Sequence, residues 1–198
     1  MLYKRIFVIV TDSMGIGEAK DASKYNDLGS NTFGHIADLS KNFNVPTLEW
    51  LGIGNICKNT KIPPKKAPNG VVARMHELSV GKDTLTGHFE IMGLNVLTPY
   101  PSFTDTGFPD ELIKMLEDFS GRKVIGNISA SGTEIIKDLG EEQLETGALI
   151  VYTSADSVLQ IAANEETFGV EELYRCCKIA REITMKPEWM VGRVIART

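Results

Sequence analysis

The sequence predicts an α/β protein built on a mainly parallel sheet and divided into two parts. Three observations carry that prediction. Ile6-Phe7-Val8-Ile9-Val10 is an unbroken β-branched and aromatic run, the pattern of a strand buried on both faces of a parallel sheet. Val71–Leu78 alternates like a strand and opens into a glycine- and threonine-rich turn. After the proline-broken Thr98-Pro99-Tyr100-Pro101, strand-like and helix-like segments alternate to the end of the chain.

In chain order, the first strand, Ile6–Val10, breaks into Thr11-Asp12-Ser13-Met14-Gly15-Ile16-Gly17. Ligands of open α/β sheets bind beyond the carboxyl ends of strands. Asp12 therefore reads either as a metal ligand or as a loop aspartate bonding its own backbone. Ser30 or Asn31 caps a helix over Thr32–Leu39, in which His35 is a semi-buried histidine or a phosphate-facing one. Pro46 opens and Gly52 closes another helix. The loop from Lys58 to Gly70 carries Lys58, Lys61, Lys65 and Lys66, which are either simply solvated or a field that steers an anion.

The central stretch is Gly81-Lys82-Asp83-Thr84-Leu85-Thr86-Gly87-His88-Phe89-Glu90. It lies between the strand Val71–Leu78 and a short helix through Phe89–Met92 that stops at Gly93. The free N–H groups and dipole of a helix start favour an anion there, phosphate above all. The same letters also describe ordinary helix capping. Beyond the prolines, Pro109 opens a helix whose Leu112, Ile113, Leu116 and Phe119 share a face and which stops at Gly121. Then come a strand Lys123–Ile125, a helix Thr133–Leu139 ended by Gly140, strands Ala148–Thr153 and Val158–Ala163, a helix Glu171–Met185, and a strand Val191–Ala196. The stripe of the last helix passes through Leu173, Cys177, Ala180 and Ile183.

Composition excludes several function classes. A formal net charge of -5 in 198 residues argues against non-specific nucleic-acid binding. No apolar run approaches the roughly 20 residues of a membrane span, and the amino terminus enters a strand without a leader-peptide pattern. Three cysteines without metal-site spacing read as reduced thiols of a cytoplasmic protein.

Taken together, Val10–Gly15, Asn31–Ile36, Gly81–Gly93, Ala130–Glu134, Tyr152–Val158 and Gly192–Arg197 resemble the phosphopentomutases of the alkaline phosphatase superfamily, colinearly from end to end. The resemblance implies an alkaline-phosphatase-like core with a mainly parallel sheet, of which residues 1–98 are the amino-terminal part. Residues 99–198 would be an inserted smaller α/β cap domain, incomplete at its carboxyl end. It implies interconversion of ribose (or 2-deoxyribose) 1-phosphate and the 5-phosphate through a phosphothreonine, which maps to Thr84, and a sugar bisphosphate that also primes the enzyme. It further implies two divalent metal ions, manganese in the family, with Asp12 and Thr84 as ligands. Lys82, Asp83 and His88 would stand behind them in support.

In the cap, the resemblance makes Ser154, Asp156 and Arg193 substrate-facing, with Arg197 a weaker candidate. Read on its own, Asp156 sets a tight turn between strands, and Arg193 makes a surface ion pair or grips a phosphate. The family's remaining aspartate and histidine ligands are not matched here: the three histidines stand in none of the family's ligand arrangements. We therefore expect an amino-terminal part of a longer enzyme, inactive alone, whose partner is the carboxyl-terminal half of the same enzyme. A non-catalytic sugar-phosphate binding or interaction module is the competing expectation. The cofactor-independent phosphoglycerate mutases fit less well, because they use a serine where this sequence has a threonine.

Overall fold

The structure is a computed structural model and describes residues 3–198. The chain divides into two compact units, residues 1–77 and 78–198. The stretch that carries Thr84 groups with the second.

The first unit is held by a small cluster of Phe33, Ala37, Ile53, Cys57 and Ile62. Helix α1 (Thr32–Leu39) starts at Asn31, whose side chain accepts the Gly34 N–H, and α2 (Pro46–Leu51) ends at Gly52 in the left-handed region. The basic loop proves to have a local structural role. Lys61 Nζ donates to the carbonyls of Ala37, Asp38 and Ser40 at 2.6, 3.0 and 2.8 Å, closing the carboxyl end of α1. His35 is exposed on α1 rather than semi-buried.

Two expected strands do not form. Ile6–Val10 has no sheet partner among the described residues, and its side chains are 56–86% exposed. Val71–Leu78 likewise takes no place in a sheet among the described residues and is mostly exposed. A strand exists only through its neighbours, and the sheet observed here is made wholly of residues 124–197.

The second unit is that sheet, covered by helices. It runs in the order β1 (Val124–Ser129), β2 (Leu149–Thr153), β3 (Val158–Ala162) and β4 (Arg193–Arg197). β1/β2 and β3/β4 are parallel, while the central β2/β3 pair is an antiparallel hairpin. The sheet is thus mostly parallel, two strand–helix–strand crossovers back to back. Helix α5 (Gly132–Thr146) joins the first pair and α6 (Val170–Ile183) the second. Side chains alternate along a strand: Leu149 and Val151 enter a core with Leu112, Leu116, Leu173, Cys176 and Ala180, whereas Ile150 and Tyr152 meet Ile135 of α5.

Local signals placed most of these elements, with revisions. Helix α3 (Thr84–Ile91) begins at Thr84 rather than near Phe89, because Asp83 caps it. Helix α4 (Asp110–Ser120) follows Pro109 and ends at Gly121 as expected, but Phe119 is 60% exposed and off the buried stripe. Gly140 does not stop α5: a side chain there would meet open space, and the helix continues until Gly147 takes up φ 67°, ψ 22°. The buried stripe of α6 runs through Cys176 rather than Cys177. β1 extends past Ile125 to Ser129, and β4 starts at Arg193 rather than Val191.

Candidate active site

The antiparallel β2/β3 pairing puts the hairpin loop Ser154-Ala155-Asp156-Ser157 at one end of the sheet, beyond Thr153 and before Val158. β4 runs parallel to β3 with Arg193 in register with Val158, so Arg193 opens its strand beside that loop. Gly192 N–H donates to the Ser157 carbonyl at 2.9 Å and fixes the approach. A side chain on Gly192 would stand 3.0 Å from Leu85 Cδ2 and 3.3 Å from the Ser157 carbonyl, so the glycine lets the first turn of α3 lie close to the loop.

Asp83 joins the two. One of its carboxylate oxygens accepts the Leu85 N–H at 2.7 Å, capping α3, and the other accepts the Ser157 N–H. Thr84 then faces Asp156. Its Oγ1 donates to Asp156 Oδ1 at 3.0 Å, and its N–H points at the same oxygen at 3.4 Å. Arg193 Nη2 reaches Asp156 Oδ2 at 3.4 Å. Arg193 and Asp156 are 43% and 34% exposed at the side chain, so the group is open to a ligand. The ion pair suggested by the sequence for Arg193 is formed, and its partner is Asp156.

The supporting residues sort by what they touch. The Ser154 hydroxyl accepts the Asp156 N–H at 3.3 Å, and the Asp156 carbonyl accepts the Val158 N–H at 2.9 Å, so the loop backbone is held from both sides. His88 Nδ1 lies 2.8 Å from the Thr84 carbonyl, one turn along α3. Lys82 is exposed just before the cap. Thr86, the other hydroxyl of the stretch, is fully buried with no hydrogen-bond partner and is closed to any substrate. Arg197 lies four residues beyond Arg193, donating to Gln160 Oε1 at 3.3 Å.

Two contacts of this region left no sequence signal. Glu90 accepts the N–H groups of Leu78 and Ser79 at 2.9 and 2.6 Å, tying the chain that enters the unit to α3. Hydrogen bonds from the Ser79 side chain, then from the Leu78 and Ser79 backbones, hold its carboxyl below the usual range. The bridge from Asp83 to the hairpin is equally silent, since it joins residues 74 apart.

Asp12 belongs to the other compact unit, where it is exposed and accepts the Ser13 hydroxyl at 3.2 Å. Among the described residues no three His, Cys, Asp or Glu side chains gather closely enough to hold a metal ion. These residues do not by themselves fit a pair of divalent ions, which needs a fuller oxygen and nitrogen shell. No helix among the described residues is long and apolar enough to cross a membrane.

The chain is 58% identical over 195 residues to a protein named phosphopentomutase from Clostridium perfringens (strain 13 / Type A), covering 98% of this chain and 49% of that protein. Phosphopentomutases of Clostridium beijerinckii and Clostridium tetani are 55% and 54% identical, covering 98% of this chain and 49% and 50% of their own lengths. The chain spans about half the length of the curated relatives it matches. The Metalloenzyme superfamily is matched over residues 4–183, nearly the whole chain, and on that match the chain belongs to the metalloenzyme superfamily.

Proposed function

We propose that this chain is the amino-terminal part of a phosphopentomutase, residues 1–98 contributing to the catalytic core and 99–198 forming most of the cap. The observation that carries the reading is the convergence of Thr84 and Arg193 on Asp156: a hydroxyl at a helix start and a guanidinium, both within hydrogen-bond reach of one carboxylate. The substrate in this reading is ribose 1-phosphate or 2-deoxyribose 1-phosphate and the corresponding 5-phosphate.

Thr84 Oγ is the group that carries the phosphoryl in transit. In priming, a bond forms between Thr84 Oγ and the phosphorus of a sugar bisphosphate while the phosphorus–sugar oxygen bond breaks. The Oγ proton leaves to solvent, and the departing sugar oxygen takes one from solvent. The reverse step hands the phosphoryl to either end of a sugar monophosphate. Arg193 supplies a planar pair of donors matched to phosphate oxygens. Asp156 and Ser154 supply acceptors for sugar hydroxyls, and Asp83 holds the Thr84 turn against the hairpin. Lys82 and His88 flank the turn.

The family's two divalent ions, manganese in our reading, would take Asp12 and Thr84 as this chain's share of ligands, with the rest from the remaining half of the same enzyme. The bound ions would supply charge neutralisation on the transferring oxygens. The cytoplasm is the proposed compartment. All three cysteines are unpaired, and burial pushes the Cys177 thiol up to about 11, which keeps it protonated and inert.

A second reading, a sugar-phosphate binding module without turnover, is favoured by the absence of a metal-ligating cluster among the described residues. One experiment separates the two. The enzyme formed by this chain and a carboxyl-terminal half like that of its relatives is incubated with manganese and ribose 1,5-bisphosphate, and ribose 5-phosphate formation from the 1-phosphate is followed. Turnover that disappears in Thr84→Ala supports the mutase reading. Saturable sugar-phosphate binding with no turnover supports the module.

A further inference from the structure

The Thr84–Asp156 contact has a consequence that rests on the reading of Thr84 as the phosphoryl carrier. Three donors converge on one carboxylate: Thr84 Oγ–H at 3.0 Å, Thr84 N–H at 3.4 Å and Arg193 at 3.4 Å. While they do so, they take up three of the roughly four acceptor positions of that carboxylate, and a sugar hydroxyl must compete with them for it. We propose that Asp156 is latched by unphosphorylated Thr84, and that a phosphoryl group on Thr84 releases it to complete the sugar site.

The chemistry of the ester drives the release in two ways. Esterification removes the Oγ hydrogen that Asp156 accepts, and places a group of about -1.5 to -2 charge beside the carboxylate. The same group offers three strong acceptors to the two remaining donors. Arg193 gains a better, bidentate partner in it, and the Thr84 N–H is freed from Asp156. Each attraction that holds the Asp156 side chain is thereby lost or reversed.

The loop itself has no need to move. The Asp156 N–H stays on the Ser154 hydroxyl, its carbonyl stays on the Val158 N–H, and the Ser157 N–H stays on Asp83. Only the Asp156 side chain changes partners. The site therefore discriminates between two forms of its own enzyme, taking a sugar monophosphate better when Thr84 carries phosphate and worse when it does not. This ordering keeps substrate from occupying an enzyme that has no phosphoryl group to give. By linkage, bound sugar favours the phosphorylated form to the same extent.

Thr84→Val tests the latch, since it removes the hydroxyl donor at nearly constant shape without adding a phosphate. Calorimetric titration with ribose 5-phosphate would compare the intact unphosphorylated enzyme, Thr84→Val, and Thr84→Val combined with Asp156→Asn. We expect the single variant to bind about threefold to tenfold more tightly than the unphosphorylated enzyme, and the gain to vanish in the double variant. Equal or weaker binding by Thr84→Val overturns the latch. No binding by either form overturns it as well, because release of Asp156 then completes no sugar site. Phosphate incorporation from ribose 1,5-bisphosphate is measured in parallel. Phosphorylation of Thr84 with unchanged affinities sinks the latch alone, whereas tighter binding by Thr84→Val without any phosphorylation of the wild-type protein sinks the covalent reading alone.

Discussion

Thr84 Oγ1 donates to Asp156 Oδ1 across 3.0 Å, although the two residues are 72 positions apart in the chain. Neither side chain creates that contact alone. It exists because β3 and β4 are parallel with Val158 opposite Arg193, because Gly192 leaves room for Leu85, and because Asp83 binds the hairpin from beneath the same helix turn.

Asp83 should therefore matter to stability as well as to chemistry. Asp83→Ala removes a helix cap and the acceptor of the Ser157 N–H together. Loss of a cap costs about 0.5–2 kcal/mol. We predict a destabilisation near the upper end of that range, read as a lower urea midpoint, with Asp83→Asn losing less. A midpoint unchanged in Asp83→Ala would mean that the two contacts carry no net weight.

Asp12 should behave in the opposite way. It is exposed and accepts the neighbouring Ser13 hydroxyl, so Asp12→Asn should shift metal-free stability by no more than about 0.5 kcal/mol. In the intact enzyme the same change should weaken manganese binding severalfold. A large loss of stability in chelator with manganese affinity intact would make Asp12 a turn residue.

The helices were largely legible in the sequence, and the reason is physical. Pro109 with Gly121, and the Leu173, Ala180, Ile183 stripe, are local signals that act within a few turns. The end of α5 was misplaced because Gly140 faces open space, where a missing side chain costs little and the stripe through Ile135 and Gln143 carries the helix on. Ile6–Val10 was misplaced for the converse reason: its composition suits a strand, but strands are made by partners that composition does not contain. Within the site, the chemical types at Thr84, Asp156 and Arg193 could be read in advance. Their meeting could not, since register and crossover are properties of the whole sheet.

A further prediction of stability follows from Glu172. Hydrogen bonds from Arg175, at 2.8 Å through both Nε and Nη2, and then from Arg122 bring its carboxyl down to about 2 from an ordinary 4.5. Arg175 also donates to the Ser120 carbonyl, so the group joins α6 to the end of α4. A lowered folded value means stability that is fully present above the unfolded value and is lost as pH falls through the folded one. Melting temperature should therefore drop between about pH 4.5 and pH 2. Glu172→Gln should be less stable than wild type at pH 7, with the difference closing toward pH 2. A constant difference across that window would remove the ion pairs from the explanation.

The Lys61 cap can be examined separately. Lys61→Met keeps the aliphatic stem and removes the ammonium that serves three carbonyls of α1. We expect faster amide hydrogen exchange in the last turn of α1 and a loss of about 1 kcal/mol. Substituting Lys65 or Lys66 should do neither. Equal exchange in all three variants would return Lys61 to the solvated loop.

The central claim is that Thr84 is the hydroxyl that carries the phosphoryl group, with the buried Thr86 excluded from that role. It is tested most directly by phosphopeptide mapping of the intact enzyme after brief incubation with manganese and ribose 1,5-bisphosphate. The account predicts one phosphorylated residue, Thr84, with no label in Thr84→Ala and undiminished label in Thr86→Val. Label on Thr86, label at any other residue, or label that survives Thr84→Ala would contradict it.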